Sequence, residues 1–240
     1  TDGTAYGLLT ALGHTLHTPR PALCPLTTAV PIPEKLAGQR VRAHLTLLDE
    51  NGNPLDQRRG ELLFTADGVS GIAAMQLARS VRPGHILSVD LTEALTGASD
   101  ADAAQWLRLR LEQLGDRPAA RFFAGAAVPA LAEVLLRQAG LPMDGRPAAA
   151  WTSAEVQALS RAIRDFRLPL SGVRGFDAAQ VTAGGIDAAE FDPATMESRL
   201  VPGLYAAGEL LDVDGDCGGY NLLFAFATGQ GAVLLDPGPR

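Results

Sequence analysis

Apolar residues recur along this chain in two rhythms, and the changes between them mark out its elements. Tyr6, Leu8, Leu9 and Leu12 fall at helical spacing over Thr4 to Leu12, and Gly13 stands where a helix C-cap belongs, which predicts a short helix. His14 to Arg20 then leads into Pro21-Ala22-Leu23-Cys24-Pro25-Leu26, whose prolines favour extended backbone. Val41, Ala43, Leu45 and Leu47 alternate with Arg42, His44 and Thr46, the period of a half-buried strand. Asn51-Gly52 marks a hairpin turn after it, and Glu61-Leu62-Leu63-Phe64-Thr65 predicts the next strand. Asp67-Gly68-Val69-Ser70 is expected to open a helix over Gly71 to Val81, with Ser70 as its N-cap. His85 to Leu91 returns to strand character.

From about Ala101 to Phe166 the period is helical. Trp106, Leu107, Leu109, Leu111 and Leu114 belong to one helix, and Val128, Leu131, Val134, Leu135 and Leu136 to a second that Gly140 and Pro142 end. Thr152-Ser153-Ala154-Glu155 starts a third, with Thr152 and Glu155 spaced as a capping box. Phe166 to Val173 reads as strand again. In the tail, Gly203 to Ala207 predicts a short apolar strand running into Gly208-Glu209. An acidic glycine-rich loop follows from Asp212 to Gly219, and an apolar helix begins near Tyr220. The order predicts a mixed α+β or α/β chain: strands, a helical insertion, strands, then a glycine-rich tail.

Composition narrows the class. The chain has 240 residues, 47% hydrophobic and 20% charged, which suits a folded protein with a core. Its formal charge of −7 disfavours nucleic acid as a partner. Lys35 is the one lysine among 20 basic residues, so individual arginines carry little functional weight. Cys24 and Cys217 lie far apart with no C-x-x-C, which predicts neither a disulfide framework nor a zinc site and favours a reducing cytoplasm. No apolar run approaches the roughly 18 residues of a membrane span, and no basic, apolar leader opens the chain. Thr1-Asp2-Gly3 enters a helix almost at once, as expected of an interior cut of a longer protein.

The tail holds the candidate chemistry. A glycine turn leading into a helix N-terminus presents backbone N–H groups and partial positive charge to a ligand. No G-x-G-x-x-G follows an opening strand anywhere, so the phosphate-cradling element of a dinucleotide fold is absent from this sequence. Asp212, Asp214 and Asp216 are spaced like the start of a calcium loop, but Leu223 occupies the position that needs glutamate, so no metal is expected. His14, His17, His44 and His85 are scattered and read as ordinary polar positions, and no catalytic acid or base is assigned. Ser70 has no accompanying His and Asp pattern, and the arginines 108, 110, 117, 121 and 137 read as a solvated face.

Four segments together carry a resemblance. They are Thr1-Asp2-Gly3 with Leu12-Gly13-His14-Thr15; Arg20-Pro21-Ala22-Leu23 with Pro25-Leu26; Gly60 to Thr65 with Gly68-Val69-Ser70-Gly71; and the tail from Val181 to Gly229. In this order, with Leu211-Asp212-Val213-Asp214-Gly215 and Gly218-Gly219-Tyr220-Asn221-Leu222, the chain resembles the C-terminal part of the BaiN/YhiN-type (aminoacetone oxidase-like) NAD(P)/FAD-dependent oxidoreductases. The resemblance implies a Rossmann-like FAD domain interrupted by an insert made of a small β-barrel-like unit and a helical bundle. Residues 1–20 and 176–240 would be FAD-domain remnants, 21–100 and 166–175 the β-rich insert, and 101–165 the helical insert.

On that resemblance Gly208, Glu209, Asp214, Gly218, Gly219, Tyr220, Asn221 and Leu222 would face FAD, with Glu209 hydrogen-bonding its linker. The implied partners are a small organic substrate and NAD(P)H, with no nucleic acid and no membrane. The family's N-terminal FAD fingerprint is not in this sequence. The chain is therefore expected to supply the substrate-side insert and the flavin-facing half of a site. The alternative is a non-catalytic module that binds a small molecule or partner, does not hold FAD by itself, and self-associates through an exposed apolar surface near Leu204-Tyr205-Ala206 and Leu222 to Phe226.

Overall fold

The computed structural model describes residues 3–98, 101–114, 117–118, 121–141 and 146–234. Thr1, Asp2 and Pro142, which figured in the sequence reading, lie outside them. The chain divides into two compact units: Thr1–Pro25 with Val173–Arg240, and Leu26–Gly172.

The Leu26–Gly172 unit contains a closed six-stranded barrel. Its strands are β2 (Leu26–Thr28), β3 (Arg40–Leu48), β4 (Pro54–Thr65), β5 (Gly68–Ser70), β6 (Ile86–Asp90) and β7 (Phe166–Val173), in the order β2-β5-β4-β3-β6-β7. The paired strands for which register is defined run antiparallel. Closure between β2 and β7 is marked by the Ala29 N–H donating to the Pro169 carbonyl at 2.8 Å and by the Ser171 and Thr27 hydroxyls at 2.9 Å. A small barrel is filled by the alternate residues that point inward. Ala43, Leu45, Leu47, Leu62, Phe64, Leu87 and Val89 are accordingly buried, and Phe64 meets Phe166 edge-on at 6.3 Å between centroids.

Two local expectations change here. The strand predicted at Glu61–Thr65 extends back to Pro54, because pairing with β3 stabilises a stretch whose own side chains are mostly polar. Ser70 is not a helix N-cap. It ends β5, its hydroxyl lies 3.4 Å from the Met75 sulfur, and Gly71 caps the short helix α2 (Ile72–Leu77). Gly71 has φ 94°, and an added Cβ would sit 2.4 Å from the Glu61 carbonyl oxygen, so the strand–helix turn admits only glycine.

The same unit carries α3 (Thr92–Thr96), α4 (Ala103–Leu114), α5 (Pro129–Gln138) and α6 (Ser153–Arg164). The α6 capping box is formed as predicted: the Glu155 N–H donates to the Thr152 hydroxyl, and the Glu155 carboxylate accepts the Thr152 N–H. Arg146 also pairs with Glu155, and with the Thr152 N–H it holds that carboxyl down at about 2. Trp106, Phe122, Phe123 and Trp151 form the aromatic centre, with Phe122 and Trp151 at 4.9 Å.

The other unit pairs β1 (Leu16–Ala22) antiparallel with β8 (Val181–Ile186) and adds α1 (Thr4–Ala11) and α7 (Tyr220–Leu234). Its core gathers Leu9, Ile186, Phe191, Met196, Ala206 and Leu211. The strand predicted over Gly203–Ala207 is absent. Tyr205 makes one isolated bridge to Glu197, and without a neighbouring strand along its length the segment has no ladder to join.

His14 locks this unit with two polar groups and a phenylalanine ring, all distant in sequence. Its Nδ1 lies 2.7 Å from Glu190 Oε2 and its Nε2 lies 2.9 Å from the Ser198 hydroxyl, while the ring stacks on Phe191 at 4.7 Å. The connectivity matches a Ser–His–Glu relay. However, the Ser198 oxygen already accepts the N–H groups of Leu200 and Val201, and Ser198 is buried. The hydroxyl is therefore an anchor for a turn and not a nucleophile. Burial alone would push the Glu190 carboxyl up, but hydrogen bonds from Thr15 and His14 outweigh it and hold it below the usual carboxylate range.

Replacing Ser198 by Ala strands two amides and an imidazole nitrogen, so chemical denaturation should show a loss of about 2–3 kcal/mol. Acid should act on the same lock. A depressed carboxyl stabilises the fold above its unfolded value of about 4.3 and loses that contribution as pH falls through the folded value. Denaturation curves between neutral and acid pH should therefore converge for wild type and Glu190→Gln as pH drops. A constant gap would contradict the assignment.

Candidate cofactor site

Within the Thr1–Pro25 and Val173–Arg240 unit, two glycines let three segments cross at backbone contact. A Cβ on Gly184 (φ 88°) would lie 2.5 Å from the Thr18 carbonyl oxygen, and one on Gly185 would lie 2.9 Å from the Leu210 carbonyl oxygen. Thr182-Ala183-Gly184-Gly185 is thus a tight crossing of β8 over β1 and over the Leu210–Asp212 segment. The Asp212 N–H donates to the Ile186 carbonyl at 2.8 Å, which fixes that segment against β8.

This crossing places Glu209 beside the start of β8, where its carboxylate accepts the Thr182 N–H at 2.5 Å. Glu209 and Thr182 line a cleft of about 830 Å3 together with Gly3, Tyr6, Leu16 and Phe176. Burial, then the charges of Glu209 and Asp212, raise the Tyr6 phenol above its ordinary value. The cleft therefore pairs apolar walls with a carboxylate acceptor and a protonated phenol, and its size suits a cofactor or a drug-sized ligand.

The remaining candidates divide between a scaffold and a surface. Gly208 packs onto α7: its N–H donates to the Thr228 hydroxyl at 2.9 Å, and an added Cβ would meet Ala225 at 3.2 Å. Asn221 clamps the loop, accepting the Gly215 N–H at 2.7 Å and donating to the Gly215 carbonyl at 3.1 Å. Asp214 is half-buried in that loop. Gly218, Gly219, Tyr220 and Leu222 are exposed, and a Cβ on Gly219 would meet nothing within 4 Å. The α7 N-terminus thus opens onto free space at Gly219. Of the eight, only Glu209 is among the residues lining the cleft.

Cys217 is half-buried against Ala22, Leu23, Val181 and Ala183. Cys24 is buried, and burial pushes its thiol up to about 11, which leaves it unreactive. Among the described residues no cluster of His, Cys, Asp and Glu could hold a metal ion, and no helix is long and apolar enough to cross a membrane.

The description HI0933-like protein Rossmann domain matches residues 1–234. The chain belongs to this family. It is 36% identical over 231 residues to a 3-dehydro-bile acid delta(4,6)-reductase of Clostridium scindens, covering 95% of this chain and 56% of that protein. It is 34% identical over 219 residues to a ribosomal RNA dihydrouridine synthase of Escherichia coli, covering 87% and 50% respectively. A ribosomal RNA dihydrouridine synthase of Haemophilus influenzae is 31% identical over 180 residues, covering 72% and 41%. The chain thus spans about half the length of the curated relatives it matches.

The chain has three tyrosines, so an alkaline absorbance titration can follow Tyr6. One phenol should ionise later than an ordinary tyrosine, which is near 10. Glu209→Gln should bring it part of the way back and no further, since burial is the larger cause. An unchanged titration would separate Tyr6 from Glu209.

Proposed function

We propose that this chain forms the flavin-facing part and the substrate-side insert of an FAD-dependent oxidoreductase that reduces a carbon–carbon double bond in a small organic substrate. The observation that carries the reading is Glu209 on the rim of a cofactor-sized cleft, positioned by the backbone crossing at Gly184 and Gly185. Family membership supports the flavin. The names of the relatives support the chemistry, because a bile-acid delta(4,6)-reductase and a dihydrouridine synthase both add hydrogen across a double bond.

The residues fit such a cofactor. FAD, when bound, supplies the hydride. Glu209 would accept hydrogen bonds from hydroxyl groups of its linker, and Tyr6, held protonated, would donate from the cleft wall. Gly218 and Gly219 would admit the ring close to the backbone, and the amides at the start of α7 would offset negative charge that develops on it. Asn221 and Gly208 act indirectly, by holding the loop and the helix that present those amides. The formal charge of −7 favours a small-molecule substrate over RNA, and NAD(P)H is the proposed reductant.

The outer face of α7 favours a second reading. Leu222, Leu223 and Phe226 are 67%, 66% and 75% exposed, an apolar surface that suits self-association of a non-catalytic module.

Adding FAD to the purified chain and separating bound from free flavin tests both readings. Flavin absorbance that co-elutes once the N-terminal half of a full-length relative is supplied as a second chain, and that Glu209→Ala weakens about tenfold or more in affinity, is the expected result. Colourless, cooperatively melting protein whose sedimentation shows association would favour the second.

A further inference from the structure

The helical part of the Leu26–Gly172 unit holds a separate cleft of about 700 Å3 between α4 and α6. Its floor is apolar, built from Leu111, Val156 and the ring of Trp151. Its polar groups are all suited to one sign of charge. Arg108 projects from α4 and Arg161 from α6, and neither forms an ion pair or a side-chain hydrogen bond among the described residues. Arg110, Arg137 and Arg146 of the same unit are engaged, with the Phe122 carbonyl, Glu133 and Glu155 respectively.

Trp151 adds a second, independent sign of a ligand. It is 8% exposed, and its indole N–H has no acceptor among the described residues. A buried donor normally finds a partner, since leaving it bare costs about 1–3 kcal/mol. Ser160 contributes a hydroxyl to the same wall. Among the described residues no aspartate or glutamate lines the cleft. Of the described carboxylates nearby, Glu155 is committed to Arg146 and the α6 cap, Asp165 to Ser88 and Arg167, and Asp90 to the Thr92 N–H, while Glu112, one turn along α4 from Arg108, forms no ion pair with it. Arg108 and Arg161 thus stand over an apolar floor without an ion pair among the described residues, and Arg161 also borders Asp90 and Asp165 in an adjoining hollow.

We propose that this cleft binds a small organic anion, a carboxylate carried on an apolar body. The carboxylate lies between the guanidinium groups of Arg108 and Arg161, and the body covers Leu111, Val156 and the Trp151 ring. Two charge-assisted contacts orient the head, and burial of the body supplies affinity that a bare inorganic anion lacks. The site needs no flavin and is independent of the reading of Glu209.

Calorimetric titration of the full chain with 2-naphthoate, its neutral analogue 2-naphthamide, and inorganic phosphate tests it. 2-Naphthoate should bind at about 1 mM or tighter and at least tenfold more tightly than the amide, with phosphate weaker than both. Arg108→Gln and Arg161→Gln remove exposed side chains, so each should leave the thermal melt unchanged while weakening 2-naphthoate about tenfold. The two tryptophans, Trp106 and Trp151, should give two indole N–H resonances, of which the one that survives Trp106→Phe should shift on binding. Equal binding of acid and amide, indifference to both arginine substitutions, or phosphate binding as tightly as 2-naphthoate would each overturn the proposal.

Discussion

The crossing at Gly184 and Gly185 is the constraint on which the candidate cofactor site depends. Three backbone segments meet there at distances that leave no room for a Cβ, with Thr18 on one side and Leu210 to Asp212 on the other. Because those segments are pinned, Thr182 presents its N–H to Glu209, and Glu209 and Asp212 act on Tyr6. Steric exclusion at two positions thus becomes electrostatics in a cleft. The His14 network supports the same unit from another side, joining Thr15, Glu190 and Ser198 around a stacked phenylalanine.

The two units depend on different physics. The barrel closes on itself, so its strands satisfy one another and its interior fills with alternate side chains. The unit that carries the candidate cofactor site has one two-stranded ladder and relies on glycine crossings, short helical turns and buried polar links. That difference explains why the barrel elements were easier to read. Period-2 alternation at Val41 to Leu47 reports a paired, half-buried strand directly. A bare apolar run such as Gly203 to Ala207 does not say whether any neighbour is present to pair with it.

Local signals behaved according to their range. The capping box at Thr152 and Glu155 needs only four residues, and it forms as its spacing predicts. Ser70 also carried a local cap signal, but the Gly68–Ser70 stretch pairs with β2 and β4, and that pairing takes Ser70 into a strand. His14 looked like one of four scattered histidines. Its partners Glu190 and Ser198 lie 176 and 184 positions away, beyond any local pattern. Arg108 likewise read as part of a solvated face, and only the packing of α4 and α6 sets it across one cleft from Arg161.

The amino-acid sequence by itself determined the order and period of most elements, the capping box of α6, the glycine-rich loop into α7 and the family to which the chain belongs. These are properties of spacing and residue type over a few positions, or of several such motifs in order. The tertiary structure alone decided which glycines are crossings, which hydroxyl anchors a turn, and which of the tail residues reach the cleft. Those outcomes depend on groups brought together across the chain by packing, where a few tenths of an ångström separate a contact from a clash. The glycine-rich tail accordingly divides in space into a scaffold, formed by Gly208 and Asn221, and a presenting surface, formed by Glu209 and the exposed start of α7.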